Sequence, residues 1–200
     1  VQAYRSAQML ALPAGAHWRH EVFSLGAEPV VMVYHPKLLA PERVPQTRNQ
    51  LLALLRARDG VLQRRIGMYD ASRSGLGYLL ATQDARLDST AGVLLAAMGS
   101  AGVVLRDSIE PLLEQLDQGR LALLYNVPAS YAQARVAAGL PIRVIYPQDY
   151  TLLTTRSAVI PRSARRLDLA QKFLEFLLAP DGQNLLARET GLLPIRQVFS

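Results

Sequence analysis

The 200-residue chain has no cysteine. This excludes a disulfide scaffold, a thiolate metal site and a cysteine nucleophile, and it permits an oxidising compartment without proving one. Lysine is nearly missing as well. Only Lys37 and Lys172 are lysines, so arginine supplies almost all of the 22 basic residues that outweigh 16 acidic ones for a net charge of +6. The arginines are scattered rather than clustered, which argues against a nucleic-acid surface and fits an anionic small ligand or an acidic membrane surface. Aromatic residues make up 6% of the chain. No long apolar run occurs. The longest uncharged stretch, Ser89 to Leu105, contains Gly92, Gly99 and Gly102 and is shorter than the roughly 20 residues of a spanning helix. A buried helix followed by a loop is expected there. Val1 opens the chain without a basic start and an apolar segment, so no signal peptide is visible. With no initiator methionine, a processed product or an excised piece is expected.

Catalytic motifs are missing too. There is no Gly-x-Ser-x-Gly elbow and no His-Glu-x-x-His. Gly75-x-Gly77 is not followed by Gly-Lys-Ser/Thr, and the third glycine of a dinucleotide fingerprint is absent. His17-Trp18-Arg19-His20-Glu21 places two imidazoles three apart with a carboxylate, a metal-ligand spacing only on a helix; a solvated loop is the expected reading. His35 ends an apolar strand, where ligands gather in open α/β sheets, although such a histidine is often structural. Glu110, Glu114 and Asp117 are expected on a solvated helix face.

What is present alternates between two periods. Residues 1–28 read as irregular. Val30–Tyr34 is a continuous apolar run and therefore a strand buried on both faces. Asn49 to Arg58 reads as a helix with Leu51, Leu52, Leu54 and Leu55 in its stripe. A strand at 65–69 runs into Asp70-Ala71-Ser72-Arg73-Ser74-Gly75 and a helix from about Leu76 to Ala85. Asp107-Ser108-Ile109-Glu110 has the form of a capping box. Further strands are expected at 121–125, 142–146 and 150–155, with helices from Pro128, Leu167 and Pro180. Strand and helix in repeated alternation predict an α/β protein with a largely parallel sheet.

Two regions offer binding chemistry. At Ser72, Arg73, Ser74, Gly75 and Leu76 a strand ends, a Ser/Gly turn follows and a helix begins. Free backbone N–H groups, the helix dipole, two hydroxyls and an arginine suit a phosphate or carboxylate. Ordinary capping by Ser72 or Ser74 is the alternative. Tyr125-Asn126 at one strand end and Tyr150 at another supply hydrogen bonds for recognition, with a half-buried core edge as the alternative for Tyr125.

From about Gly26 to Pro194 these segments together resemble the later two thirds of an extracytoplasmic solute-binding protein, in the branch that includes ferric-ion-binding proteins of ABC importers. Val30 to Pro36 looks like the first hinge crossing. Ile66 to Gly75 looks like the family's anion-holding helix start, Gln118 to Asn126 like its strand with ligand residues, and Ala170 to Gln183 like its C-terminal helix pair. The resemblance implies a two-lobed, periplasmic-binding-protein-like α/β fold of type II with the N-terminal part of lobe one missing. Lobe one would comprise residues 1–33 and 151–200, and lobe two 34–150. Iron-binding members carry adjacent tyrosines after the strand matching Leu121–Tyr125. Here the sequence reads Asn126-Val127-Pro128-Ala129-Ser130-Tyr131, so an organic or inorganic anion is expected in place of iron.

The function that follows is capture of a small anionic solute between two lobes by a periplasmic or extracytoplasmic domain that is not an enzyme. Its expected ligand residues are Ser72, Arg73, Ser74, Gly75, Leu76, Tyr125, Asn126 and Tyr150, with no metal or cofactor. The partner is the permease of an ABC importer or the kinase region of a membrane histidine kinase, and not nucleic acid. The apolar faces left bare in the shortened lobe one are expected to be covered either by pairing with a second copy of the chain or by a rearranged contact with lobe two. The alternative is a two-lobed transferase or deaminase, for which His35 is the one acid–base candidate.

Overall fold

The computed structural model describes residues 1–57 and 59–196. In chain order, the strands are β1 (His17–Trp18), β2 (Val22–Tyr34), β3 (Ile66–Tyr69), β4 (Val104–Arg106), β5 (Leu123–Pro128), β6 (Arg143–Ile145), β7 (Leu153–Ala158) and β8 (Leu193–Pro194). The helices are α1 (Arg48–Leu55), α2 (Gly75–Leu87), α3 (Ala91–Ser100), α4 (Glu110–Asp117), α5 (Ala129–Ala137), α6 (Leu167–Leu178) and α7 (Pro180–Thr190). The chain forms two compact units, Val1–Glu28 with Leu153–Ser200, and Pro29–Leu152. The sequence boundaries of 33/34 and 150/151 thus stand against structural ones at 28/29 and 152/153.

The second unit is built on a sheet of strand order β6-β2-β5-β3-β4, with β5 at its centre. β3 runs parallel to β4 and to β5, pairing Gly67 with Val104 and Ile66 with Leu123. The last part of β2 runs antiparallel to both β5 and β6. The sheet is therefore mixed, where the sequence led us to expect a largely parallel one. Apolar runs such as Val30–Tyr34 report burial on both faces, and burial does not fix strand direction. One face packs Val31, Val33, Tyr69 and Leu124 against Leu112 and Leu116 of α4 and Ala132 of α5. The other packs Met32, Ile66, Met68 and Tyr125 against Leu51 of α1 and Leu94 and Met98 of α3.

Local chemistry explains the helix starts. Thr47 caps α1 by accepting the Gln50 N–H at 3.1 Å. Ser74 caps α2 by accepting the Gly77 N–H at 3.1 Å. The capping box expected at Asp107–Glu110 does not form. Ile109 occupies the cap position of α4 with no side-chain bond, and Pro111 in its first turn needs no N–H partner. The helix expected over 49–58 ends at Leu55, and Arg58 lies outside the described residues. Asp117, expected on a solvated face, is instead largely buried and pairs with Arg135 of α5 at 2.6 Å, with burial pushing its carboxyl above the usual range.

The first unit corrects the irregular reading of residues 1–28. β2 begins at Val22, and its first part pairs antiparallel with β1 and β8 and also with β7. The strand predicted over 150–155 is displaced to Leu153–Ala158. Phe23, Ile160, Leu174 and Leu178 form the unit's core. Glu28, fully buried, is held by Arg156 at 2.7 Å. Gln183, also buried, donates to the carbonyls of Leu25 and Leu177 and accepts from the Ile195 N–H. α6 turns Leu174 and Leu178 inward and leaves Phe173 61% exposed.

Two glycines of α2 differ in surroundings. A Cβ at Gly77 would stand 2.6 Å from Tyr69 Cβ, whereas one at Gly75 meets nothing within 4 Å. Gly77→Ala should therefore cost about 1–3 kcal/mol through overpacking, while Gly75→Ala should change stability by less than about 1 kcal/mol. Urea unfolding of the two variants beside the parent measures the difference.

Candidate functional site

The candidate site lies in the second unit, and its two halves are joined by α2. At the N-terminus of α2, Asp70 organises the turn. Its carboxylate accepts the Ser72 N–H at 2.9 Å and the Ser72 hydroxyl at 2.6 Å, and those bonds hold it below the usual carboxylate range. Its carbonyl accepts the N–H groups of Arg73 and Ser74. Arg73 stands in solvent 3.6 Å from Asp107. The Ser74 oxygen is occupied by the Gly77 N–H. The N–H groups of Gly75 and Leu76, first in the helix, have no carbonyl to bind within it. Gly75 leaves the space before them open. Capping and anion binding, alternatives in the sequence, are physically compatible here, because the cap engages the N–H of Gly77 and not those of Gly75 and Leu76.

The inner face of α2 carries Gly77, Leu80 and Asp84, all buried. Those positions are i, i+3 and i+7, so a carboxylate sits on an apolar stripe. Asp84 accepts three hydrogen bonds and faces one cation. The hydroxyl of Tyr125 reaches Oδ2 at 2.8 Å, the amide of Asn126 reaches Oδ2 at 2.7 Å and the hydroxyl of Tyr150 reaches Oδ1 at 2.7 Å. The guanidinium of Arg48, 2% exposed, lies 3.3 Å from Oδ1. Arg48 Nε donates to the Tyr125 oxygen at 2.8 Å. Its Nη1 donates to Asp149 Oδ1 at 3.0 Å and to the Tyr150 carbonyl at 2.8 Å. The Tyr150 ring lies 3.5 Å from the guanidinium carbon, in cation–π contact.

Neighbours in a strand point to opposite faces, yet Tyr125 and Asn126 bind the same carboxylate oxygen. A bulge makes this possible. Val31 pairs with Val127, and Val33 with Leu124, so β5 has one residue more than β2 across that interval. Asn126 absorbs it at φ 57°, a left-handed conformation that asparagine adopts more readily than most side chains.

The surroundings set the charge states. Burial works against the Arg48 charge, but Tyr125, Asp84 and Tyr150 outweigh it and raise its pKa further. Burial, the Asp84 charge and the hydrogen bond to Asp84 push the Tyr125 phenol well above its ordinary value, and burial with the same bond does so for Tyr150. Both phenols are neutral donors.

The structure thus divides the residues predicted from sequence into two groups. Ser72, Arg73, Ser74, Gly75 and Leu76 lie at the start of α2. Tyr125, Asn126 and Tyr150 converge on Asp84, which is about 15 Å along the helix axis from Ser74 at 1.5 Å per residue. Tyr125 is fully buried and not a half-buried edge. Arg48 and Asp84 were not singled out in the sequence. Asp84 on the stripe of Gly77 and Leu80 was the available signal; Arg48, in the first turn of α1, gave none. His35 is buried, and its Nδ1 accepts the Lys37 N–H at 3.2 Å, which closes a turn. His17 and His20 lie on no helix but stack at 5.6 Å. Among the described residues, no three His, Cys, Asp or Glu side chains group as metal ligands, and no helix is long and apolar enough to cross a membrane.

A family profile of bacterial extracellular solute-binding proteins matches residues 2–200. The chain belongs to this family. No curated protein matches it. The substrate-binding protein of an ABC transporter from Agrobacterium tumefaciens is 30% identical and superposes with a TM-score of 0.94 over all of this chain and 59% of that one. Iron-bound HitA from Pseudomonas aeruginosa is 17% identical, with a TM-score of 0.75 over all of this chain and 64% of its own. The periplasmic binding protein AfuA from Actinobacillus pleuropneumoniae, with fructose-6-phosphate bound, is 20% identical, with a TM-score of 0.77 over 96% of this chain and 61% of its own. The fold is that of periplasmic binding proteins, and the family consists of binding proteins, not enzymes. The chain spans about 60% of the relatives' length.

The charge pair has two measurable consequences. Asp84→Ala leaves Arg48 with Asp149 alone and the donors of Tyr125, Asn126 and Tyr150 without an acceptor, and should cost about 3–5 kcal/mol by chemical denaturation. The phenols are neutral in the fold and ionise more readily once unfolded. Their contribution is therefore complete below the ordinary phenol value of 10.0 and is lost as pH rises through the higher folded values. Unfolding free energy measured from pH 9 to 12 should fall above about pH 10, and less steeply in Tyr150→Phe. An unchanged slope would contradict the assignment.

Proposed function

We propose that the chain is the solute-capturing part of a periplasmic binding protein serving an ABC importer, whose membrane permease is its partner. The likeness to the Agrobacterium protein over the whole chain carries this reading. We propose further that the solute is a small anion, phosphate-like or carboxylate, whose charged group sits at the start of α2. The N–H groups of Gly75 and Leu76 and the Ser74 hydroxyl proton would bind it, with Ser72 and Arg73 beside them. The open space at Gly75 supports this. So do the unpartnered N–H groups and the helix dipole. AfuA, whose bound ligand is a sugar phosphate, is a better guide than iron-bound HitA, because Tyr125 and Tyr150 are held neutral by Asp84 and ferric ligation uses tyrosinate.

A thermal-shift panel of inorganic phosphate, phosphonates, di- and tricarboxylates, sugar phosphates and ferric salts tests the reading. A ligand at 100 times its Kd stabilises by about 2.7 kcal/mol, a rise in Tm of roughly 5–10 °C for this length. Stabilisation by a ferric salt alone, with a tyrosinate charge-transfer band, would refute the anion. Ser74→Asp separates the two roles of Ser74, because aspartate caps a helix as well as serine does while its charge repels an anion. The variant should keep its stability and bind the anion from the panel at least about tenfold more weakly, or about 1.4 kcal/mol. Undiminished binding would move the site elsewhere.

A further inference from the structure

The network around Asp84 ties together four places that are distant in sequence. Arg48 lies in the first turn of α1, Asp84 late in α2, Tyr125 and Asn126 in the bulge of β5, and Asp149 and Tyr150 just before the chain leaves the second unit. The segment 148–152 has no helix or strand of its own. It is held by Arg48 through the Asp149 carboxylate and the Tyr150 carbonyl, by Asp84 through the Tyr150 hydroxyl, and by two backbone bonds, Gln148 N–H to the Gln46 carbonyl and Val30 N–H to the Leu152 carbonyl. Arg48 also donates its own N–H to Asp149 Oδ2 at 2.9 Å. The Arg48 Nη2 atom is buried with no hydrogen-bond acceptor, 3.3 Å from Asp84.

We infer that Arg48 and Asp84 are positioning residues: they lock the Asn126 bulge and the 148–152 segment to α1 and α2, and they turn the Tyr125 and Tyr150 hydroxyls inward as donors to Asp84, withheld from any metal. Arg48 supplies the planar fork that only arginine has. Asp84 supplies the acceptor on which three donors converge. The consequence for recognition rests on the proposed solute-binding role: phenols spent on Asp84 leave backbone N–H groups and neutral donors for the solute, which favours an oxyanion over a hard metal cation. The lock itself is a property of the chain without solute and is tested that way, so its failure is distinct from a failure of the ligand panel.

Amide hydrogen exchange of the 200-residue chain is compared with that of Arg48→Lys, which keeps the charge but cannot reach Tyr125, Asp149 and the Tyr150 carbonyl together. Exchange at Val30 and Gln148 should quicken by about tenfold or more, while Met68 and Leu105 in the parallel strands stay within about twofold. Equal acceleration everywhere would mean general destabilisation only, and no acceleration would mean no lock; either overturns the inference. Alkaline titration of phenolate absorbance provides the second readout. The groups acting on the two phenols are Asp84, Asp88 and Arg48, and Tyr150 acts on Tyr125; Asp149 is bound to the same guanidinium. In Asp84→Asn, two late-ionising phenols should move toward the ordinary range, while Tyr4, held high by burial and Glu175 in the other unit, should not move. Two late phenols that stay late in a folded Asp84→Asn chain would overturn the assignment. If that variant does not fold, Tyr150→Phe replaces it: the late amplitude should fall by one phenol and Gln148 should exchange faster, and no change in either counts against the lock.

Discussion

A guanidinium and a carboxylate removed from water must satisfy each other, and the second unit is arranged around that requirement. Neither Arg48 nor Asp84 can be left alone at such burial, because an uncompensated buried charge costs several kcal/mol. Taken as a pair they add little net stability over an apolar pair of the same shape. What they add is geometry. Three hydrogen bonds to Asp84 and the planar fork of Arg48 are compatible with one placement of α1, α2, β5 and the 148–152 segment. Slipping any of these by a residue would leave buried donors unpaired.

That geometry passes directly to the end of α2 that faces the solute in the proposed function. α2 is fixed twice along its length. Gly77 lets it lie against Tyr69 at a distance no side chain would permit, and Asp84 anchors it to the β5 bulge. Leu76 and Leu80 pack with the core cluster on one face of the sheet, while Asp84 meets Tyr125, whose ring belongs to the cluster on the other. The helix therefore crosses from one core to the other, and the direction of its first N–H groups is set by contacts at the far end. Preorganised donors of this kind bind an anion without paying again for their own ordering.

The first unit relies on different interactions. Its apolar core is small, and two buried polar side chains complete it: Glu28 against Arg156, and Gln183 bridging β2, α6 and the residue after β8. Gly182 precedes Gln183 where a Cβ would meet the Phe176 carbonyl at 1.9 Å. The turn from α6 into α7 therefore requires glycine, and that close approach carries Gln183 to its bonds.

The sequence by itself determined most of the elements of the second unit. Continuous apolar runs at Val30–Tyr34 and Leu121–Tyr125, helical spacing in α2, α4 and α6, and the Ser74 cap are local signals, because each depends on neighbours within a few residues. The order of those segments also carried the family resemblance. Strand direction was not legible, since a strand buried on both faces reads alike in parallel and antiparallel sheets. Nor was the bulge at Asn126, which exists only as a mismatch between β5 and β2. The two candidate regions, Ser72–Leu76 and Tyr125, Asn126 and Tyr150, are local signals whose spatial relation the sequence does not carry. The tertiary structure decided that Tyr125, Asn126 and Tyr150 serve Asp84, at the other end of α2 from Ser74. Arg48 shows the limit most directly. An arginine in the first turn of a helix reads as a solvated surface charge, and only packing 77 residues away in sequence against Tyr125 made it the most committed side chain in the unit.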